Sequence, residues 1–208
     1  MKLYVFPPSP NARKVLATAH HLGLPFETQV VDLVKGEQRN PEYLKLNPNG
    51  RMPTMVDGDF VLWESNAIMQ YMAGRKGPNG LWPTDERKRL DISRWQFWEL
   101  AHWTPACGTY IFEHLVKGIF GGGGPDPAKV KEGEEKFHRS ASVLDGHLAT
   151  RKWLVGDGVT LADISVGVFL AYAERCNFPV EQYRNIRNWH GRLEQLEAMK
   201  KTAPQMPG

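Results

Sequence analysis

Two short segments of this 208-residue chain combine residue types that could do chemistry together. The first is Asn47-Pro48-Asn49-Gly50-Arg51-Met52-Pro53-Thr54, directly ahead of an apolar run. A proline opening a strand cannot donate a ladder hydrogen bond. A cis Met52–Pro53 bond would account for it, because cis proline belongs to tight turns. Such a kink would leave the backbone N–H and C=O of Met52 free at a sheet edge, where a peptide can pair as an added strand. The second segment is Trp63-Glu64-Ser65-Asn66-Ala67-Ile68. A helix starting there offers free N–H groups and a partial positive charge to a carboxylate. Ser65 adds a hydroxyl donor, and Glu64 can face an ammonium. Together they suit an amino-acid head group. Each segment also has a plain explanation when taken singly: an ordinary trans proline at a strand start, and a capped helix start with Glu64 near the dipole.

Other reactive constellations are thin. The two cysteines, Cys107 and Cys176, form no CxxC and no metal-ligand spacing. A disulfide framework is excluded, and a cytoplasmic location is the expectation. Cys107 falls mid-helix in apolar company, where a thiol is usually inert. His102 and His114 have no partner at metal-ligand spacing, so no metal is expected. The run Gly121–Gly124 lacks a following Lys-Ser/Thr and is no phosphate-binding loop; it reads as a surface loop. Lys plus Arg is 26 against 23 Asp plus Glu, a net charge of +3. That surplus carries no concentrated basic patch, so no nucleic-acid partner is expected. No stretch approaches the ~18 apolar residues of a membrane span, and the N-terminal apolar run is too short for a signal peptide.

The elements that must position these residues follow from periodicity. A short buried strand is predicted over 2–6 and a helix over 11–22, closed by Gly23. A β-rich stretch over 26–33 completes a strand–helix–strand unit. A short helix over 41–46 precedes the Asn47 turn. Strands over 53–56 and 60–63 flank Asp57-Gly58, a hairpin signal, and a helix follows over 64–73. The Gly/Pro-punctuated stretch up to Thr84 reads as a linker, and everything after it is helical in pattern. Helices are predicted over 85–116, over 127–150 with Asp126 as N-cap and Pro127 at N1, over 161–176, and over 186–200. Thr160-Leu161-Ala162-Asp163 resembles a capping box. The 161–176 helix is apolar nearly all round, as in the buried centre of a bundle.

The order of these motifs, joined to the helix opening Ser9-Pro10-Asn11-Ala12-Arg13-Lys14-Val15, resembles the cytosolic glutathione S-transferases of serine type, phi- or theta-like. The similarity covers essentially the whole chain. It is most specific from Val31-Asp32-Leu33 through Asn47-Pro48 and Pro53 to Glu64-Ser65-Asn66-Ala67-Ile68, and Leu154-Val155-Gly156-Asp157 and Thr160–Asp163 agree in the second half. Tyr4 lies inside the first strand and matches poorly the tyrosine of the other classes. The resemblance implies an α/β thioredoxin-like domain over 1–76, a linker over 77–85 and an all-α domain over 86–208.

It also implies roles. Arg13 places the catalytic serine at Ser9, whose hydroxyl would hydrogen-bond the glutathione sulfur and favour its thiolate. A thiol titrates at about 8.5, and each unit of lowering needs about 1.4 kcal/mol of preference for the anion. Asn11, two residues on, is the rival donor, with Ser9 then capping the helix. The Met52 backbone would pair with the cysteinyl residue, Pro53 would be the cis proline, and Glu64 and Ser65 would hold the γ-glutamyl end. Arg51 and Gln38 would lie near the glycyl carboxylate, although Gln38 replaces a common histidine. Pro7, Trp103, Cys107 and Tyr110 would line a pocket for a small hydrophobic electrophile.

Glutathione would be a co-substrate, with no permanent cofactor, and the chain a homodimer. Other glutathione-dependent chemistry (peroxidase, dehalogenase or isomerase) and a non-catalytic binding module are the alternatives. The chain departs from the family at Gln195–Ala198, where a proline is common, and in its glycine-rich loop.

Overall fold

The computed structural model describes residues 1–204. Two compact units are present: Met1–Trp82 together with the segment from Leu196, and Pro83–Gln195.

In the first unit, β1 (Lys2–Val5) leads through α1 (Pro10–Leu22) to β2 (Glu27–Val30). A 3-10 turn (Glu37–Arg39) and α2 (Pro41–Leu46) follow. Then come β3 (Thr54–Asp57), β4 (Phe60–Trp63) and α3 (Ser65–Arg75). The sheet order is β2-β1-β3-β4, with β1/β2 parallel and the other two pairs antiparallel. This is the expected thioredoxin-like arrangement. Leu3 and Val5 alternate inward from β1, and Ala12, Val15 and Ala19 give α1 a buried face. Pro10 opens α1, where its missing N–H costs nothing. Gly23 closes it at φ 62, and the Leu24 N–H returns to the Ala19 carbonyl, a Schellman closure.

In the second unit, α4 (Glu86–Trp98), α5 (Thr104–Ile111) and α6 (Lys117–Ile119) are joined by π-helical turns at Glu99–Trp103 and Phe112–Val116. They form one helical run, three residues longer than expected. Then come α7 (Pro127–Leu148), α8 (Leu161–Gly167) running into a 3-10 segment (Val168–Tyr172), and α9 (Arg184–Glu194). Asp126 caps α7 by accepting the Ala128 N–H at 2.9 Å. The capping box at Thr160 is present, with Asp163 in the place of the usual Glu/Gln. Asp163 is fully buried and also accepts the Leu154 N–H and Trp189 Nε1–H, each at 2.9 Å. The Thr160 N–H and hydroxyl donate to its other oxygen, and burial pushes the carboxyl upward against these four bonds.

Two expected helices are shorter in the structure. The 161–176 helix tightens to 3-10 geometry at Val168 and ends at Tyr172. The 186–200 helix is interrupted where Leu196 turns extended at ψ 134, and a separate helix, α10 (Glu197–Lys201), follows. α10 packs on α1, so the chain from Leu196 belongs with the first unit and not with the helical one. Arg13, 2 % exposed, anchors it: Nε donates to the Thr202 carbonyl at 2.9 Å and Nη2 to the Met199 carbonyl at 3.2 Å. A guanidinium on the last carbonyls of a helix satisfies acceptors that have no partner within it.

Candidate active site

Strand register draws three segments together. Tyr4 pairs with Thr54 on one side of β3, and Trp63 pairs with Thr54 on the other. The residues entering β3, Met52 and Pro53, therefore sit beside the ends of β1 and β4, where the chain turns into Ser9 and Glu64. Met52–Pro53 is cis, as the family resemblance implied. Among the described residues the Met52 N–H has no hydrogen-bond partner.

Ser9 stands at the N-cap position of α1 in extended geometry, and its carbonyl accepts the Arg13 N–H at 3.0 Å. Its hydroxyl makes no capping bond to the helix. It is therefore not committed as a cap, as the Asn11 alternative would require. Asn11 is the second residue of α1, half-buried, and its Oδ1 accepts a long bond from Ser65 Oγ at 3.5 Å. This contact ties the openings of α1 and α3. Glu64 caps α3 from an exposed position with φ 73, a left-handed conformation costing a non-glycine residue about 1–3 kcal/mol. Such an outlier at a helix N-terminus, beside the buried Ser65, marks this junction as more than a connector.

On the other flank, Gln38 lies in the 3-10 turn with its Oε1 buried and unpartnered among the described residues. Gly50, at φ 59, brings the Asn47 loop against it. A side chain at Gly50 would meet the Gln38 carbonyl at 3.1 Å. Arg51 is exposed beside this contact. The structure thus brings Ser9, Asn11 and Ser65 to one cluster, and joins Gln38 to the loop bearing Arg51, Met52 and Pro53.

The four residues expected at an electrophile pocket differ in burial. Pro7 is half-buried after β1. Trp103, Cys107 and Tyr110 belong to the aromatic core of the helical unit. Trp103 has no exposed surface, donates Nε1–H to the Val166 carbonyl at 3.0 Å, and packs on Trp98 and Phe137. Cys107 is equally buried. Burial, with Glu99 nearby, pushes its thiol well above the ordinary range, so it stays protonated near neutral pH. Cys176 is pushed up to about 11 by burial. Burial is also the main cause raising the Tyr110 hydroxyl to about 12. Both cysteines are free. Among the described residues no group of three or more His, Cys, Asp or Glu could hold a metal ion, and no helix is long and apolar enough to cross a membrane.

Sequence reasoning missed Tyr43 and the side-chain network by which it, Asn47 and Thr54 hold the Met52 loop. Tyr43, from α2, donates its hydroxyl to the Arg51 carbonyl at 2.6 Å and lies 2.9 Å from Thr54 Oγ1. Asn47 Nδ2 donates to the same carbonyl at 2.8 Å and to Thr54 Oγ1 at 3.1 Å. The only sequence signal was a polar aromatic four residues ahead of the Asn-Pro turn.

The sequence and the fold both resemble those of known proteins. Residues 1–74 match the model of the glutathione S-transferase N-terminal domain, and residues 104–197 that of the C-terminal domain. Glutathione S-transferase 3 of Zea mays is 35% identical over 213 residues, covering 100% of this chain and 95% of that protein. The crystal structure of glutathione transferase F7 from Populus trichocarpa superimposes with a TM-score of 0.90 at 28% identity, covering 97% of each chain. A structure of glutathione S-transferase-I bound with lactoylglutathione gives a TM-score of 0.88 at 26% identity, again over 97% of each chain. This chain belongs to the glutathione S-transferase family.

Proposed function

We propose that the chain binds glutathione across the first unit, activates its thiol as the thiolate, and transfers it to a small hydrophobic electrophile. The observation that carries this reading is the register of β3. It puts an unpaired Met52 N–H beside two helix openings, one bearing an uncommitted serine hydroxyl and the other an exposed carboxylate with a buried serine. The cysteinyl backbone pairs with Met52 next to Pro53. Glu64 faces the γ-glutamyl ammonium, and Ser65 with the N–H groups of α3 takes its carboxylate. Arg51 and Gln38 serve the glycyl carboxylate. Ser9 donates to the sulfur, with Asn11 as the rival donor. A hydroxyl and a helix N-terminus together supply roughly two units of thiol pKa lowering.

The thiolate needs no general base, because it attacks directly. With an aryl chloride a C–S bond forms, the C–Cl bond breaks, chloride leaves, and the thiol proton has already gone to solvent. The product is more polar than the electrophile, which fits a role in detoxification. The protein's own buried thiols take no part, and their free state accords with a reducing, cytoplasmic setting.

The test is retention on glutathione-agarose followed by conjugation of 1-chloro-2,4-dinitrobenzene. Retention with turnover is the expected outcome. A chain that does not bind glutathione overturns the reading.

We also infer a symmetric homodimer. Leu90 and Phe97, seven residues apart on α4, are 64% and 68% exposed, and a second copy offers the commonest way to cover such a row.

A further inference from the structure

Four polar groups around the Met52 loop form a closed ring in which every proton is accounted for. Asn47 Nδ2 has two protons and two acceptors, the Arg51 carbonyl and Thr54 Oγ1. Asn49 fixes which end of that amide is oxygen, since its N–H and Nδ2 both approach Asn47 Oδ1, at 3.1 and 3.0 Å. Tyr43 has one hydroxyl proton, and it goes to the Arg51 carbonyl at 2.6 Å. Thr54 must then donate to Tyr43 Oη across their 2.9 Å contact. The ring is buried: Tyr43 is 6% exposed, Asn47 2% and Thr54 0%. Tyr43 is further held by its ring, which packs on Tyr4 of β1 at 5.9 Å. Burial raises its phenol, so the donor proton is retained.

The Arg51 carbonyl and the Met52 N–H are the two ends of one trans peptide plane and point in opposite directions. Two donors that pin the carbonyl therefore aim the N–H the other way. Hydrogen bonds at the carbonyl also polarise the plane and strengthen its N–H as a donor. We propose that Tyr43 is a positioning residue for glutathione: from α2 its hydroxyl sets the Arg51–Met52 peptide plane so that the Met52 N–H meets the cysteinyl carbonyl. The proposal rests on the glutathione reading above and adds to it a residue that touches no substrate. It also gives α2, which carries none of the contact residues, a part in the affinity of the site.

The test compares wild type and Tyr43→Phe, which keeps the ring packing and deletes only the hydroxyl. Two ligands are titrated: glutathione, and an analogue whose cysteinyl carbonyl is replaced by a methylene. Wild type is expected to bind the analogue more weakly than glutathione. Tyr43→Phe is expected to weaken glutathione binding about five- to tenfold, the range for one lost hydrogen bond, and to leave binding of the analogue nearly unchanged. KM for glutathione should rise by the same factor, while kcat at saturation and the pKa of the bound thiol hold. Thr54→Val, which removes the donor to Tyr43, should produce a smaller loss of the same pattern. If Tyr43→Phe binds glutathione as wild type does, or weakens both ligands equally, the positioning role is wrong and the glutathione reading stands. If wild type binds neither ligand, both fall together.

Discussion

The Ser9 hydroxyl and the Asn11 amide sit within one turn of α1, and only one of them need donate to the sulfur. The hydroxyl of Ser9, which makes no capping bond, favours the serine; the Ser65 contact reaches only Asn11 Oδ1 and leaves the Asn11 amide N–H groups as the rival donor. Ser9→Ala should raise the pKa of the bound glutathione thiol by about one to two units, read from thiolate absorbance against pH. The sign follows from which form the donor stabilises. A lost donor disfavours the anion, so conjugation falls about ten- to a hundredfold below the normal thiol pKa and recovers as pH rises past the new one. Asn11→Ala should leave the thiol within about half a unit of wild type. An unchanged thiol in Ser9→Ala, with a shifted one in Asn11→Ala, would exchange their roles. At this scale local turn and helix-opening motifs pointed to Met52, Pro53, Glu64 and Ser65, while Ser9 was singled out only by the family resemblance. Tyr43 and Thr54 were not legible as partners. Their roles exist only because α2 folds back over the start of β3 and brings residues 43, 47, 51 and 54 to one point.

Elements are held in place by buried carboxylates. Asp163 ties the start of α8 to the Leu154 loop and to Trp189 of α9. Asp163→Ala leaves four buried donors (the Leu154 and Thr160 N–H groups, the Thr160 hydroxyl and Trp189 Nε1–H) without their acceptor and should cost about 3–5 kcal/mol in chemical denaturation. Loss below about 1 kcal/mol would mean water replaces the carboxylate. Glu113 plays a similar part for the glycine-rich loop. Its carboxylate accepts the Asp126 N–H at 2.8 Å and Lys117 Nζ at 3.0 Å, and these, the Asp126 bond first, hold it below its ordinary 4.5. A depressed carboxylate contributes stability above its unfolded pKa and loses it as pH falls through the folded value. The loop between α6 and α7 should therefore become a protease target first in mild acid, below pH 4.5, and in Glu113→Gln it should be cut readily even at neutral pH. Equal cutting of both proteins at neutral pH would dismiss the anchor.

For the whole molecule, the exposed row on α4 gives the sharpest test. Phe97→Glu places a charge where a second copy would bury an apolar side chain, and sedimentation should then report a monomer in place of a dimer. A wild-type monomer would refute the assembly outright. By itself the sequence determined the order of strands and helices, the hairpin at Asp57-Gly58 and the capping box. These depend on residues a few positions apart, where periodicity and turn chemistry act. The tertiary structure alone decided three things. It broke the last helix at Leu196 and set its end under Arg13, some 190 residues earlier. It buried Trp103 and Cys107 within the helical unit. It also closed the ring that aims Met52. In each case the deciding term is a buried polar or aromatic group meeting a distant partner, and burial is a property of the packed chain that no local motif records.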